Sequence, residues 1–328
     1  MNYARLISTA KYLPENIVSN DHLADKIDTT DEWIVKRTGI SQRHITAEGE
    51  TALVMACIAA REALAKAEVK ADNIDAVIVA SCTHDKPFPS LACGVGQSLG
   101  VGDCFAMDLN AACSGTLYAL ELVYHNMFVP HGWKNVLVLG VDRMTHVVDW
   151  QDRSSCVLFG DGAGALLFTR DTLPGIEYMC CGADGDGGKL LYSERIPNAN
   201  PKPAVFPWGQ QEITTKMSGK EVFKHATHRM AQVSQQALGY LSYTAEDINW
   251  CVPHQANKRI LDAVCNKLKL EQEKLICTVS SHANTSAASI PLALDDGFAR
   301  GIFKQGDKIL CSAFGAGFTW GAGVLHVT

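Results

Sequence analysis

Short apolar runs alternate along the chain with longer amphipathic stretches, and this alternation predicts strands separated by helices. In the first half, the runs most typical of buried strands are Ala76–Ser81, Cys104–Leu109, Asn135–Val141 and Ala163–Thr169. A strand that is apolar along its whole length belongs to a sheet covered on both faces. The pattern therefore predicts an α/β fold with helices on either side of a sheet.

The second half of the chain repeats this arrangement. Its predicted strands are Asn249–Pro253, Leu275–Ser280, Lys308–Ala313 and Ala322–Val327. In each half the second strand leads into small polar residues at a helix start, and a glycine turn precedes the last strand. We interpret the repeat as an internal duplication with a boundary near residue 172, which divides the chain into residues 1–172 and 173–328.

Helices are predicted between these strands from their amphipathic spacing. They cover Thr51–Lys66, Ser114–Met127, Gly219–Leu238 and Lys258–Leu268. The polar, proline-containing stretch Glu194–Gln211 is predicted to be a loop.

Composition and charge narrow the function classes. The 328 residues are 47% hydrophobic and 20% charged, with a formal net charge of −6, which is ordinary for a globular protein. A mild acidic excess argues against nucleic-acid or anionic-membrane partners. The first residues lack a signal-peptide pattern, and no apolar run reaches the roughly 18 residues of a membrane span. We therefore expect a cytoplasmic protein.

Cysteine usage gives no sign of a metal site. Twelve cysteines are present, but none forms a CxxC pair or has zinc-finger spacing. One of them, Cys113, differs from the rest because it follows a predicted strand and opens a predicted helix within Asn110–Gly115. The free amides and dipole of a helix N-terminus stabilise a thiolate, so we expect a lowered pKa and a nucleophilic cysteine.

Two further residues occupy similar positions. His254 follows the strand Asn249–Pro253, and Asn284 follows the strand Leu275–Ser280. Each has an ordinary structural interpretation, as a buried histidine or a helix cap. Because the carboxyl ends of strands in such a sheet converge on one crevice, we expect both to lie near Cys113.

The chain resembles the β-ketoacyl-acyl-carrier-protein synthase III family of thiolase-fold condensing enzymes. The resemblance covers nearly the whole chain and rests on motifs that occur in family order. They are Asp31–Ile40, Asn110–Gly115, Phe159–Ala165, His254–Asn257, Asn284–Ser289 and Phe314–Gly321. It implies two five-stranded mixed sheets in a five-layer α-β-α-β-α arrangement, and a homodimer.

The resemblance also implies a reaction, a decarboxylative Claisen condensation that initiates fatty acid synthesis. Cys113 would take the acyl group from an acyl-CoA primer, acetyl-CoA or another short acyl-CoA, and malonyl-acyl-carrier protein would supply the second unit. His254 and Asn284 would donate hydrogen bonds to the malonyl thioester carbonyl. The backbone amides of Cys113 and Ala316 would form the oxyanion hole. No cofactor is implied, because acyl-CoA is a substrate.

Binding residues are carried over from the family by matching motif positions. The implied CoA contacts are Thr29, Trp33, Arg37, Arg153, Gly219 and Asn257, with the adenine between Trp33 and Arg153. Phe88 matches a residue that reaches the partner's acyl pocket across the dimer. The implied docking surface for the acidic carrier protein consists of Lys224, Lys258, Arg259 and Lys267.

One departure and several alternatives stay open at this stage. The family usually has three glycines where this chain has Gly315-Ala316-Gly317, which leaves primer chain length and branching preference unspecified. Plant-type polyketide synthases carry a proline that the turn Phe314–Gly317 lacks, and thiolases use a second catalytic cysteine where this chain has Asn284. A secondary-metabolism ketosynthase, or a relative that transfers the acyl group to oxygen or nitrogen, is the main enzymatic alternative. A non-catalytic paralogue that binds carrier protein is the alternative from another class.

Overall fold

The computed structural model describes residues 2–129, 131–193 and 215–328, and the predicted loop Glu194–Gln211 lies outside them. In chain order the strands are β1 (Tyr3–Tyr12), β2 (Ile17–Ser19), β3 (Gln42–His44), β4 (Ala76–Ala80), β5 (Phe105–Leu109), β6 (Asn135–Arg143), β7 (Asp161–Asp171), β8 (Ile176–Ala183), β9 (Leu191–Ser193), β10 (Thr215–Met217), β11 (Trp250–Pro253), β12 (Lys308–Gly315) and β13 (Thr319–His326). The helices are α1 (Asn20–Ala24), α2 (Asp31–Thr38), α3 (Ala52–Lys66), α4 (Leu91–Leu99), α5 (Gly115–Phe128), α6 (Gly219–Leu241), α7 (Lys258–Leu268), α8 (Val279–His282) and α9 (Ser289–Ala299).

The first large sheet has five strands in the order β1-β7-β6-β4-β5. β4 pairs in parallel with both β5 and β6, whereas β7 is antiparallel to β6 and to β1. All five residues of β4 are buried, as the apolar run predicts. The sheet is therefore mixed, and β5 forms one of its edges.

The second large sheet has four strands in the order β11-β12-β13-β8, so the expectation of five strands in both sheets is wrong for this one. The predicted strand Leu275–Ser280 is wrong, since Leu275 forms only an isolated parallel bridge with Cys251. The side chain of Gln255 explains why the ladder stops there. Its Nε2 donates to the carbonyl of Ile276 at 3.2 Å, and its Oε1 accepts the N–H of Thr278 at 2.8 Å. These bonds take the place of a neighbouring strand.

Helices cover both faces of each sheet. α3 packs on the first sheet and against α4, while α6 packs on the second sheet and against α7. Between the sheets lie α5, which contacts strands of both, and α9, which contacts β1, β7 and β11. The order is therefore α-β-α-β-α, which confirms the five layers that the family resemblance implies. Both central helices begin at residues close to predicted site residues.

The two halves share one apolar core. One cluster joins Ile78 and Phe168 of the first sheet to Val252 and Ile309 of the second through Leu120 of α5. All strands of the first sheet precede residue 172, and all strands of the second follow it. The internal duplication itself stays a prediction.

Candidate active site

Cys113 lies in a short 3₁₀ turn, Ala112–Ser114, between β5 and α5. The side chain of Asn110 bends the chain here, because its Oδ1 accepts the N–H of Ala112 at 3.1 Å. Ala112 has a φ of +46°, a left-handed conformation that is uncommon for residues other than glycine. Such backbone conformations cluster at functional sites. The turn sets the cysteine immediately before the N-terminus of α5, as the sequence predicts.

His254 follows the last residue of β11 and is 2% exposed. Its backbone N–H donates to the carbonyl of Ser312 on β12 at 2.7 Å, which continues the parallel ladder by one residue. Its Nδ1 lies 2.7 Å from the Oγ of Ser289. Burial lowers the pKa of His254 to about 3, so the imidazole is neutral at physiological pH.

Asn284 follows α8 and the left-handed residue Ala283, and not a strand end as the sequence analysis expects. Its backbone bridges to the first half, since its N–H donates to Leu158 at 2.9 Å and its carbonyl accepts from Gly160 at 3.0 Å. The side-chain Oδ1 accepts the N–H of Ser286 at 2.9 Å. This bond fixes the amide orientation and leaves the NH₂ group as a donor for another partner.

The segment from Asn284 to Ser289 brings the three predicted residues together. The hydroxyl of Ser286 acts on the thiol of Cys113, whose pKa it lowers, while its backbone N–H holds Asn284. Ser289, three residues further on, holds His254. Cys113, His254 and Asn284 are therefore linked through one short stretch of chain at the start of α9.

Two further groups lie beside this cluster and are not among the predicted site residues. Cys82 lies after β4, with its sulfur 3.9 Å from the Oγ of Ser286. Asp142 on β6 is fully buried and accepts the N–H of Cys82 at 2.8 Å and that of Ala287 at 3.1 Å. Burial raises the pKa of Asp142, while these hydrogen bonds oppose the rise. The carboxyl thus ties the loop after β4 to the segment that carries Asn284. A buried aspartate at a strand end is the signal that could have identified it.

The pKa of Cys113 differs from the expectation. Burial raises it to about 12, and the hydrogen bond from Ser286 only partly opposes this effect. The predicted lowering by the helix N-terminus is therefore wrong for this state of the protein, because desolvation outweighs the helix dipole. The sulfur is a thiol at neutral pH, and the small thiolate fraction is correspondingly nucleophilic.

The glycine turn between β12 and β13 packs against the cysteine turn. A Cβ added to Gly315 would lie 2.8 Å from the backbone nitrogen of Cys113, so only glycine fits at this position. Thr319 joins the two turns, since its Oγ1 contacts the carbonyls of Ala111 at 2.8 Å and of Ala316 at 3.1 Å. Ala316 therefore occupies the turn next to the amide of Cys113, where the sequence analysis places the oxyanion hole.

Trp33 and two arginines form a separate cluster near α2. The Cζ of Arg37 lies 4.7 Å from the centroid of the Trp33 ring, and that of Arg153 lies 5.1 Å from it. Arg153 is held by Asp28, with Nη1 and Oδ2 3.1 Å apart. An adenine between Trp33 and Arg153 needs two stacking distances of about 3.5 Å each. The guanidinium therefore has to move outwards by about 2 Å to admit a base.

The other predicted CoA contacts are at or near the surface. Thr29 is half-buried, and Gly219 is exposed at the start of α6. Asn257 caps α7, because its Oδ1 accepts the N–H of Arg259 at 2.9 Å, and its Nδ2 donates to the carbonyl of Arg37 at 3.2 Å. Asn257 thus connects α7 to the end of α2.

Phe88 and most of the predicted docking residues lie at the surface. Phe88 is 81% exposed, unusually so for a large apolar side chain. Lys224, Arg259 and Lys267 are exposed, and Arg259 lies over the ring of Phe223, with its Cζ 5.6 Å from the centroid. Lys258 pairs with Asp262 on the same helix. The basic residues thus span α6 and α7.

Within the described ranges, no group of three or more histidine, cysteine or acidic residues is arranged to hold a metal ion. No helix of that part of the chain is long and apolar enough to cross a membrane. All twelve cysteines are free.

Five layers around a cluster of cysteine, histidine and asparagine define a condensing enzyme of the thiolase fold, which is an acyltransferase. Two family models match the chain, 3-oxoacyl-[acyl-carrier-protein] synthase III over residues 107–185 and its C-terminal counterpart over residues 238–327. The chain belongs to the β-ketoacyl-acyl-carrier-protein synthase III family.

Individual relatives agree with this assignment. The β-ketoacyl-[acyl-carrier-protein] synthase III of Neisseria gonorrhoeae is 45% identical over 330 residues, which cover 99% of this chain and 100% of the relative. The crystal structure of 3-oxoacyl-[acyl-carrier-protein] synthase III from Aquifex aeolicus superposes with a TM-score of 0.89 at 40% identity, covering 98% and 99% of the two chains. The priming β-ketosynthase of the R1128 polyketide pathway superposes with a TM-score of 0.92 at 34% identity, covering 99% and 96%.

Proposed function

We propose that this chain condenses an acyl-CoA primer with malonyl-acyl-carrier protein and thereby initiates fatty acid synthesis. The observation that carries the proposal is the cluster in which Asn284–Ser289 links Cys113, His254 and Asn284. A thiol nucleophile and two neutral hydrogen-bond donors suit the two half-reactions. The thiol accepts an acyl chain. The two neutral donors stabilise an enolate without a change in their own charge.

In the first half-reaction the sulfur of Cys113 attacks the thioester carbonyl of acyl-CoA. The oxygen becomes negative, and the amides of Cys113 and Ala316 are proposed to stabilise it. The C–S bond to CoA then breaks, the CoA thiolate leaves and takes up a proton, and an acyl-cysteine remains. The close packing of Gly315 on the Cys113 amide supports this assignment.

In the second half-reaction malonyl-carrier protein occupies the site. His254 and Asn284 are proposed to donate hydrogen bonds to its thioester carbonyl while carbon dioxide leaves and an enolate forms. The enolate carbon attacks the acyl-cysteine, and the Cys113 thiolate departs from a β-ketoacyl-carrier product. These bonds form and break between the substrates and Cys113, so the proposed reaction requires no cofactor.

Release of carbon dioxide tests this function directly. Malonyl-carrier protein labelled in its free carboxyl group is incubated with the protein and acetyl-CoA, and gas release and β-ketoacyl product are measured. We expect both in equal amounts. Acyl transfer to an alcohol or amine without carbon dioxide release would favour the oxygen- or nitrogen-transferring alternative instead. Comparison of short, long and branched primers distinguishes a role in primary metabolism from a priming role of the polyketide kind.

A homodimer is also part of the proposal. β5 is an edge strand, and Phe105 at its start is 44% exposed. Unpaired edges are commonly covered by another chain or element. We propose that a second copy covers β5 and that its Phe88 reaches the acyl pocket of this chain.

The cytoplasmic location predicted from sequence belongs to the same proposal, and twelve free cysteines support it.

The two half-reactions are expected to depend differently on pH. Since the pKa of Cys113 is about 12, its thiolate fraction and the rate of acylation should rise about tenfold per pH unit between about pH 6 and pH 9. Decarboxylation should be flat over that range, because His254 with a pKa of about 3 stays neutral. Single-turnover acylation and carbon dioxide release, each measured across pH, check this. A flat acylation profile would contradict it and indicate that a protein group removes the thiol proton during attack.

Docking of the carrier protein is proposed to use Lys224, Lys258, Arg259 and Lys267. Arg259→Glu is expected to weaken the use of malonyl-carrier protein about tenfold and to flatten its salt dependence, since exposed charges mainly set the encounter rate. Acylation of Cys113 by acyl-CoA should stay within about twofold. The measurement is both half-reactions across a salt series. Lys70→Glu, a charge reversal at an exposed site in the other half, is the matched control. Equal damage to both half-reactions would reject this surface.

A further inference from the structure

The hydrogen bonds around Ser289 constrain the position of the proton on His254. Ser289 is the first residue of α9 and is 2% exposed. Its Oγ lies 3.3 Å from the backbone nitrogen of Gln255 and 2.7 Å from the Nδ1 of His254. The amide N–H of Gln255 can only donate, so the serine oxygen accepts there.

In the remaining hydrogen bond, between the Oγ of Ser289 and the Nδ1 of His254, only one choice of donor satisfies every group. If Nδ1 carried the proton, the serine oxygen would accept twice, and its own buried hydrogen would have no acceptor among the described neighbours. If the serine hydroxyl donates to Nδ1, all three groups are satisfied. Nδ1 is then an acceptor, and the proton of the neutral imidazole resides on Nε2.

We propose that Ser289 is a positioning residue that keeps His254 in the Nε2–H tautomer required for donating to the malonyl thioester. This inference rests on the proposed function. A buried group bonded to Nδ1 controls which nitrogen faces the reacting atoms, and the wrong tautomer presents a lone pair where a donor is needed. The backbone N–H of Ser286 acts in the same way on Asn284, by holding Oδ1 so that Nδ2 remains the free donor.

The two serines are assigned to different half-reactions. The hydroxyl of Ser286 lowers the pKa of the Cys113 thiol, whereas that of Ser289 bonds to the imidazole of His254. Removing one hydroxyl or the other should therefore damage opposite steps. This contrast provides a matched pair of variants within four residues of chain.

Ser289→Ala is expected to slow decarboxylation of malonyl-carrier protein about ten- to a hundredfold, part of the loss of a full oxyanion donor. Acylation of Cys113 by acyl-CoA should change by less than about threefold. Without the bond to its neutral form, His254 should also protonate more readily. Decarboxylation by the variant should then begin to fall at a higher pH than in the unsubstituted protein, in which the pKa of His254 is about 3. A purely structural defect would lower the rate equally at every pH.

Ser286→Ala is the control, with the reverse result expected: slower acylation and no new acidic limb in decarboxylation. Ser289→Cys introduces a side chain of nearly the same size with a weaker donor. Its decarboxylation rate should lie between those of the unsubstituted protein and Ser289→Ala. This variant tests the inference if Ser289→Ala folds poorly. Unchanged decarboxylation in both Ser289 variants, or equal loss in both half-reactions, overturns the inference while leaving the proposed function intact. If the unsubstituted protein releases no carbon dioxide, both fail together.

Discussion

Cys113→Ala is expected to abolish the covalent acyl-enzyme and to reduce condensation by a factor of about 10³ or more. The reason is geometric as well as chemical. Cys113 lies in the turn before α5, next to the glycine turn that contacts its amide, so a replacement nucleophile would have to reach the same point. Denaturing mass spectrometry after incubation with acetyl-CoA measures the adduct directly.

Cys82 is the thiol that could mislead this experiment, because its sulfur lies 3.9 Å from the Ser286 hydroxyl that also contacts Cys113. Cys82 follows β4 and lies outside the turn Ala112–Ser114 that packs against the glycine turn, so we expect it to remain unacylated. Cys82→Ala is the matched control and should still form the adduct. An acyl group that persists in Cys113→Ala and maps to Cys82 would show that the nucleophile has been misassigned.

Sequence patterns were sufficient for the elements with continuous apolar character. β4 and α7 were predicted to within one residue, because one is a fully apolar run and the other has a strict apolar stripe. β1 was not predicted, since Arg5, Thr9 and Lys11 interrupt any apolar run. Its strand conformation depends on pairing with β7, a partner distant in sequence.

The error at Leu275–Ser280 has a related cause. The run is apolar enough for a strand, but its backbone partners are the side-chain amide groups of Gln255. The composition of residues 275–280 does not show that a side chain elsewhere in the chain will take the hydrogen bonds of a neighbouring strand. The strand-end argument for Asn284 therefore fails, and its proposed role rests on the motif Asn284–Ser289.

The electrostatics of the site were the least predictable feature. A helix start favours a thiolate, and the sequence shows where the helix starts. It does not show how deeply the sulfur will be buried, and burial determines the direction of the pKa of Cys113. Ser289 was missed for the same reason, since its role depends on the 2.7 Å contact with a histidine 35 residues away.

His254→Ala and Asn284→Ala are each expected to slow decarboxylation about 10²–10³-fold, the usual effect of removing one donor to a developing oxyanion. Acylation of Cys113 should be affected much less, because its oxyanion is proposed to bind the amides of Cys113 and Ala316. The two rates are measured separately, as carbon dioxide release from malonyl-carrier protein and as the mass of the acyl-enzyme.

Asn284→Asp sharpens this test because it removes the donor while keeping the size and shape of the side chain. The aspartate keeps an oxygen that can accept the N–H of Ser286, which holds the segment in place, but it loses the NH₂ donor. It also adds a negative charge beside the forming enolate. We therefore expect Asn284→Asp to decarboxylate no faster than Asn284→Ala, while its acylation stays closer to that of the unsubstituted protein. Loss of both half-reactions to the same extent in all three variants would mean that His254 and Asn284 support the fold and do not act on the malonyl group.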